Sequence, residues 1–484
     1  GHNFRPDYLV LADAARAIGA ERVLALTATA TPAVVADIQS TFAIADEDVV
    51  TTGFHRPNLI LRATACRAAE RAERLVERLK CTPPGPTIVY VTLQRTAEQL
   101  AEQLRAAGFP AEAYHAGMDT EVRSSVQERW MRSDEGIVVA TIAFGMGIDK
   151  ADVRRVFHAN VPKSLESYSQ EVGRAGRDGR DAVCEVFASP EDLPALRNFA
   201  YGDTPSLLAL EKLLADLSGR GETFDLSLHA LGGAHDIRPL VLRTLLTYLE
   251  LDGVLKQGTP FHAGYEWRLA PGASVESVSG EFGAHAGEVR SVFGAARKGR
   301  IWWSGDPTLI GEATGLDRGR VVRMLEVLSE RGLIELRTAD VRLPFTRQVP
   351  ADRLAAAAPD LYERFAARER SEVGRIDATM ALLVGDPCLA AGIAAHFGDH
   401  SVGRCGRCSK CEGEVEALPA VSQPVDWDPS VLERVLELAR RQPAALGEAR
   451  QRARFLCGIS SPAATRARLG GHPLMGIWSD RDFP

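Results

Sequence analysis

At 484 residues the chain is longer than one hydrophobic core ordinarily holds, so three or more domains are expected. Its 45% hydrophobic and 25% charged residues exclude a disordered or low-complexity class. The formal net charge of −7 excludes a global basic field, so any contact with nucleic acid has to come from local patches. No apolar run is long enough to span a bilayer and no signal peptide opens the chain, so the expectation is a cytoplasmic protein without a membrane partner.

In chain order, GHNFRPDY crowds His, Phe, Arg, Pro and Tyr ahead of any clear element, with no Met before it. LVLADAARAIGA then reads as helix and RVLALTAT as a buried parallel strand. TPAVVADIQSTF reads as helix, with Thr31 as N-cap and Pro32 at the first helical position. Residues 59–190 alternate strand and helix through TIVYVT, TAEQLAEQLRAAG, AEAYHAG, EVRSSVQERWMRS, GIVVAT, RRVFHANV, SLESYSQEVGRAG and AVCEVFA. That alternation is the βαβ rhythm of an α/β fold, an open parallel sheet with helices on both faces.

The rhythm changes after Ala188. VLRTLLTYLELDGVLKQ from Val241 and VVRMLEVLSERGLIELR from Val321 form a repeat, each with Arg in third place, then a Gly turn and a strand start. Each follows a short helix and turn, SLHALGG or TLIGEATGL. Helix, turn, helix and strand pair is the winged-helix pattern; two small helical bundles are the other reading. The expected divisions are 1–58, 59–195, 196–272 and 273–350 (two winged-helix-like domains), 351–416 (a helical four-cysteine module) and 417–484. The last combines a linker, ALPAVSQPVD at 417–426, with a small helical tail.

The eight cysteines are unevenly placed: Cys66, Cys81, Cys184 and Cys457 are scattered, whereas Cys388, Cys405, Cys408 and Cys411 stand as C-x16-C-x2-C-x2-C. Thiolates at that spacing on a tight turn chelate one ion, and a distant fourth closes a tetrahedron around Zn2+. Four sulfurs leave no open position, so the zinc would be structural. His396 and His400 are competing ligands that a complete thiolate set makes unnecessary.

QEVGRAGRDGR, from Gln170 to Arg180, sets Arg174 and Arg177 three apart among glycines at the end of a helix. A guanidinium fork suits the spread charge of a transferring γ-phosphoryl group, and glycines let backbone approach it closely. VATIAFGMGIDKADVR, from Val139 to Arg154, ends a buried strand at Thr141 and turns through Gly145, Gly147 and Asp149. Such loops at the carboxyl ends of parallel strands are where nucleotide contacts are built.

In this order the stretches resemble the later motifs of superfamily-two helicases and, within them, the RecQ DNA helicases. GHNFRPDY is similar to the tail of the RecQ aromatic-rich loop, LALTATAT to motif III, and TIVYVTLQRTAEQL to motif IV. VATIAFGMGIDKADVRRVFH is similar to motif V, SYSQEVGRAGRDG to motif VI, and CLAAGIAAHFGD…CGRCSKC to the RecQ zinc module. The resemblance covers residues 1–190 and resumes at the cysteines. It implies a RecA-like motor lobe that works with ATP and Mg2+, translocates 3′-to-5′ on single-stranded DNA, and unwinds partly duplex DNA in recombination and repair. It also implies a nucleoid-associated bacterial protein with single-strand-binding or repair proteins as partners. By position it assigns Arg174, Arg177 and Gln170 to catalysis at the γ-phosphate, and Gly147, Asp149, Thr27 and Thr29 to coupling. Phe4 and Arg5 fall to the loop that senses single-stranded DNA, and Thr92, His115 and Thr141 to its backbone.

Two departures qualify the resemblance. The chain has no Gly-Lys pair, hence no G-x-x-x-x-G-K-[ST] loop, and no D-E-x-H box. It therefore reads as a second motor lobe with a remnant of the first, not expected to hydrolyse ATP alone. About two hundred residues also separate the motif-VI stretch from the cysteines, where the family joins them directly. A non-catalytic zinc and winged-helix DNA-binding protein and an RNA helicase of the same superfamily are the rival readings. Tyr265, Trp267 and RKGRIWW at 297–303 read either as DNA contacts or as core aromatics.

Overall fold

The segments TIVY at Thr87–Tyr90 (β2), IVVA at Ile137–Ala140 (β4) and RVFH at Arg155–His158 (β5) are buried along their whole length. Strands with no polar alternation need helices on both faces, which a parallel sheet supplies. A computed structural model of the chain describes residues 10–145, 147–414, 417–420, 429–481 and 483. The three strands join Leu59–Ala65 (β1), Ala111–Tyr114 (β3) and Ala182–Ala188 (β6) in an all-parallel sheet of order β1-β6-β5-β2-β4-β3.

Side chains alternate between its faces. Val89, Val139 and Phe157 meet Leu75, Leu79, Leu100 and Leu104 of the helices Arg71–Cys81 and Gln94–Ala106. Ile88, Tyr90, Val138 and Val156 meet Trp130, Tyr168 and Val172 on the other face. That second core also takes in Ile376, Met380, Leu383, Leu389, Ile393 and Phe397, from the helices Ala358–Val384 and Leu389–His396.

This unit is therefore discontinuous in sequence, comprising Leu11–Thr204 and Glu363–Pro484, while Pro205–Tyr362 lies in a second unit inserted between its halves. The cysteine helices return to the lobe after the detour, which explains why about two hundred residues separate two stretches that pack together. The tail helices Pro429–Arg441, Ala449–Leu456 and Pro462–Arg466 close on a small core of Val435, Leu446, Phe455 and Leu469. Arg454 there is buried and donates to the Thr204 carbonyl at 2.6 Å, so this tail arginine packs rather than facing solvent.

Thr31 caps Pro32–Phe42 as expected, its hydroxyl accepting from the Val34 amide. RVLALTAT is a correction. It forms no strand, and Leu24 and Leu26 are 81% and 83% exposed. A parallel strand is held by ladders to its neighbours, and among the described residues none pairs with this segment.

The inserted unit carries Thr223–Leu226 (β7), Leu255–Gln257 (β8), Phe261–Leu269 (β9), Arg297–Lys298 (β10), Trp303–Gly305 (β11) and the long Ile334–Arg347 (β12). Its sheet runs β10-β11-β9-β12-β7, with β8 also on β12. The first part of β12 pairs with β9 and its end with β7 and β8, so one strand serves both repeats. Each repeat is a pair of helices joined by a left-handed residue: Leu228–His235 and Pro239–Leu251 around Asp236, Pro307–Thr314 and Arg318–Glu330 around Gly315.

The true spacing of the repeat is one residue shorter than the Val241–Val321 alignment. Gly232 and Gly311 occupy the same place, where an added Cβ would lie 2.5 and 2.4 Å from the carbonyls of Ile237 and Leu316. Buried Leu242, Leu245, Leu246 and Leu249 then match Val321, Met324, Leu325 and Leu328. The arginine in third place in both runs is a coincidence of sequence, because helix faces are set by burial. Tyr265 and Trp267 are core residues, 7% and 0% exposed, packed with Phe293 and Trp303; neither is available to DNA.

Candidate active site and metal centre

The helix Leu165–Val172 begins at Ser164, whose hydroxyl accepts from the Ser167 amide, and delivers Gln170, Arg174 and Arg177 to one edge of the parallel sheet. With Thr29, Phe54, His55, Arg56, Ala390 and Ile393 these line a pocket of about 390 Å³. Gln170 Nε2 donates to Thr29 Oγ1 at 2.7 Å, bringing together two stretches 141 residues apart. The Thr29 amide in turn donates to Thr27 Oγ1 at 3.3 Å.

The two arginines are used differently. Arg174 donates to the Gly145 carbonyl, and its Nε is buried without a partner among the described residues. Gly145 has φ +141°, and a Cβ there would lie 2.4 Å from the Arg174 guanidinium carbon, so only glycine allows this approach. Arg177 is 38% exposed and pairs at 2.6 Å with Asp149, itself open to solvent. Gly147 is exposed in the same loop, at φ +76°.

Three supports escaped the sequence reading. Arg56 donates to the Gly173 carbonyl at 3.0 Å and to that of Gly176. Asn58 donates to the Gly176 and Arg180 carbonyls, both at 2.8 Å. Gly176 (φ +56°) has no room for a Cβ, which would meet Asn58 Nδ2 at 2.5 Å. His158 and Glu171 form a buried pair at 2.8 Å, with the imidazole stacked on Tyr90. The Tyr90 hydroxyl donates to the Phe144 carbonyl at 3.2 Å, and burial pushes its pKa up. An R-x-N segment just ahead of the first strand of the lobe was the available signal for Arg56 and Asn58.

Thr92, His115 and Thr141 each follow the carboxyl end of a strand, β2, β3 and β4. The Thr92 amide donates to Asn160 Oδ1 at 3.0 Å, and the Thr141 amide to the Tyr114 carbonyl at 3.2 Å. His115 is 5% exposed and paired at 3.2 Å with Glu98, whose own side chain is largely exposed. Phe4 and Arg5 lie outside the described residues, as does most of the 417–426 segment.

The sulfurs of Cys388, Cys405, Cys408 and Cys411 all lie within 4.8 Å of one another. Two edges measure 3.8 Å (Cys388–Cys408) and 4.0 Å (Cys405–Cys411). A tetrahedral site with metal–sulfur bonds of about 2.3 Å has sulfur–sulfur edges of about 3.8 Å, so the donor set fits a zinc-like ion. Burial works against the Cys411 thiolate but is outweighed by the Gly406 amide, Arg404 and the neighbouring thiols, which bring its pKa down to about 6. His396 is turned away to Glu166, at 3.1 Å.

The cysteine turn is fastened to the lobe. The Ser409 amide donates to the Leu61 carbonyl at 3.1 Å, and Ser409 Oγ accepts from the Ala63 amide at 3.1 Å, so the turn covers the free edge of β1. Arg407 donates to the Pro57 carbonyl and pairs with Asp181, while Arg62 pairs with Glu412 and Glu414. Phe397 stacks on Phe54 with ring centroids 4.3 Å apart. Glu166, on the arginine-bearing helix, pairs with Arg375 at 3.0 Å.

Comparison with known proteins places this lobe. Residues 70–179 match the family model described as "Helicase conserved C-terminal domain". The chain is 39% identical over 203 residues to the mouse bifunctional 3'-5' exonuclease/ATP-dependent helicase WRN, covering 41% of this chain and 14% of that protein. It is 42% identical over 200 residues to the RecQ-like DNA helicase blm-1 of Caenorhabditis elegans, covering 41% and 20%. It is 40% identical over 199 residues to the ATP-dependent DNA helicase RecQ of Bacillus subtilis, covering 41% and 33%. Over this region the lobe is similar to RecQ-family helicases. The chain spans a third or less of the length of these curated relatives. Residues 70–179, matched by the helicase C-terminal domain model, contain the arginine helix, Gly145, Gly147, Asp149 and the strand ends described above.

Proposed function

We propose that the chain forms the second motor lobe and accessory part of an ATP-dependent, 3′-to-5′ DNA helicase of RecQ type that serves recombination and repair. The observation that carries this reading is the pocket where Gln170, Arg174 and Arg177 converge with Thr29. ATP and Mg2+ would bind between this lobe and one carrying the G-x-x-x-x-G-K-[ST] loop. Arg177, 38% exposed, is held by a solvent-facing Asp149 and by a long 3.4 Å bond to the Ile148 carbonyl, contacts it would exchange for a γ-phosphate; Arg174 holds Gly145 beside it. Gln170 and Thr29 then report closure to Thr27, while Gly147 and Asp149 relay it towards the strand ends at Thr92 and Thr141. There, with Phe4 and Arg5, single-stranded DNA would lie. His115, being buried, supports that edge through Glu98.

In this reading the four thiolates hold one structural Zn2+, and the helix pairs at 228–251 and 307–330 belong to two winged-helix domains, 196–272 and 273–350. Arg177→Ala is the direct test, made in a protein that includes the phosphate-binding lobe. DNA-stimulated ATP turnover should fall about a thousand-fold or more, the range measured for arginine fingers, with DNA affinity nearly unchanged. Turnover at the unsubstituted rate would refute the assignment.

A further inference from the structure

The sheet of the inserted unit ends in the two-residue strand β10, which turns back into β11 through residues 299–302. The turn is tight: the Gly299 amide donates to the Trp302 carbonyl at 2.7 Å, and a Cβ on Gly299 would lie 3.0 Å from that oxygen. Around it stand Arg297, Lys298 and Arg300, all exposed, and Ile301, which is 58% exposed.

None of these three cations has a carboxylate partner among the described residues. The surrounding arginines are engaged: Arg268 and Arg337 with Glu335, Arg320 with Glu288, and Arg342 with Asp340. Arg318 donates to the His262 carbonyl. Trp302 is fixed by two of them, its ring 5.0 Å from the Arg268 guanidinium and 4.3 Å from that of Arg337. Lys298 lies 4.9 Å from the Trp303 ring. A lone charge is enough to protect an edge strand from pairing with other chains. Three unneutralised cations beside an exposed isoleucine and a pre-oriented indole go beyond that need, and they suit a ligand that is anionic on one side and flat and apolar on the other.

We propose that the 297–303 hairpin is a binding element for a nucleic-acid strand with unpaired bases. Arg297, Lys298 and Arg300 neutralise backbone phosphates, and Ile301 with the edge of Trp302 covers the face of an unstacked base. A duplex keeps its base faces stacked and would leave Ile301 without a partner. Binding here needs neither ATP nor the arginine pocket, so it stands apart from the motor reading.

The test uses the whole chain without ATP, a fluorescent single strand of roughly 16 nucleotides (the upper site size of one such binding face), the matching duplex, and anisotropy across a salt series. The triple variant R297A/K298A/R300A should weaken single-strand binding and flatten the slope of log K against log salt by about 2, from about 0.7 for each of three phosphates. That corresponds to about a hundred-fold more affinity lost at 0.1 M salt than at 1 M. Ile301→Ala should weaken the single strand several-fold at unchanged slope and leave duplex binding alone. All four side chains are exposed, and matched melting curves would exclude misfolding. Unchanged affinity and slope in the triple variant would overturn the site while leaving the Arg177 experiment untouched. A silent Ile301→Ala would overturn the base contact, and poly-glutamate bound more tightly than the single strand, through the same three cations, would identify an acidic polypeptide as the ligand instead.

Discussion

Arg56→Ala probes how the arginine loop is held. Opening the 173–180 loop requires the Arg56 guanidinium to leave the Gly173 and Gly176 carbonyls. A hydrogen bond to a charged group contributes about 1.5–3 kcal/mol. Arg56 is only partly buried, so the lower end applies, and two bonds amount to about 3 kcal/mol. Each 1.36 kcal/mol is tenfold in an equilibrium constant, so the loop should open about 150-fold more often. The readout is amide exchange of Gly176 and Asp178, whose N–H groups donate to the Val153 and Ala151 carbonyls at 2.9 and 3.2 Å. Both should lose protection by that factor, while Val89 in β2 keeps its own. Arg56→Lys keeps the charge but not the fork, and should fall between. Unchanged protection of Gly176 in Arg56→Ala would show that the loop is held by Asn58 and packing alone.

Other expectations follow from the same geometry. Zinc measured by mass spectrometry should be one per chain and should be lost in Cys408→Ser; Cys184→Ser, a buried thiol outside the cluster, should retain it. Burial would raise the Glu166 pKa, but its own backbone amide, Ser164 and Arg375 outweigh that and hold it at about 2, below the ordinary 4.5. A lowered folded-state pKa stabilises above the unfolded value and is lost as pH falls through the folded one. The stability advantage over Glu166→Gln should therefore be full above pH 4.5 and vanish towards pH 2, as acid titration followed by circular dichroism would record. Gly311→Ala drives a Cβ into the Leu316 carbonyl and should destabilise the inserted unit by about 2 kcal/mol. Gly294→Ala, in a helix with open space around it, should be neutral or stabilise by up to about 1 kcal/mol; denaturant midpoints compare the two.

Much of the parallel-sheet lobe was legible because its strands are short, wholly apolar runs between turn residues, and because Thr31 caps its helix by local chemistry. The convergence of the arginines on one pocket and the clustering of the cysteines were legible from their spacing. RVLALTAT was misread because apolarity records a preference for burial, while a strand also needs a neighbour. The repeat was aligned one residue out because Arg243 and Arg323 lie outside the core, where nothing ties sequence to register; Gly232 and Gly311 carry the true spacing through backbone contact. Arg56 and Asn58 went unnoticed because their partners are carbonyls more than a hundred residues away, which leave no mark on side-chain pattern. The discontinuity of the lobe was hidden for the same reason, since Phe54 and Phe397 meet only in three dimensions.

The Ser409 turn over β1 also has a meaning in time. Ala63 and Ser409 are 346 residues apart, and at about 5–20 residues per second a ribosome takes roughly 17–70 s to make that stretch. Throughout that interval the edge of β1 is bare, while the inserted unit, complete in its own core, can already have folded. The last cysteines thus act as a late fastening on the nascent lobe. With the four thiolates holding Zn2+ as proposed, scarcity of metal during synthesis would leave an unfinished sheet edge, open to pairing with other chains, rather than merely an empty site.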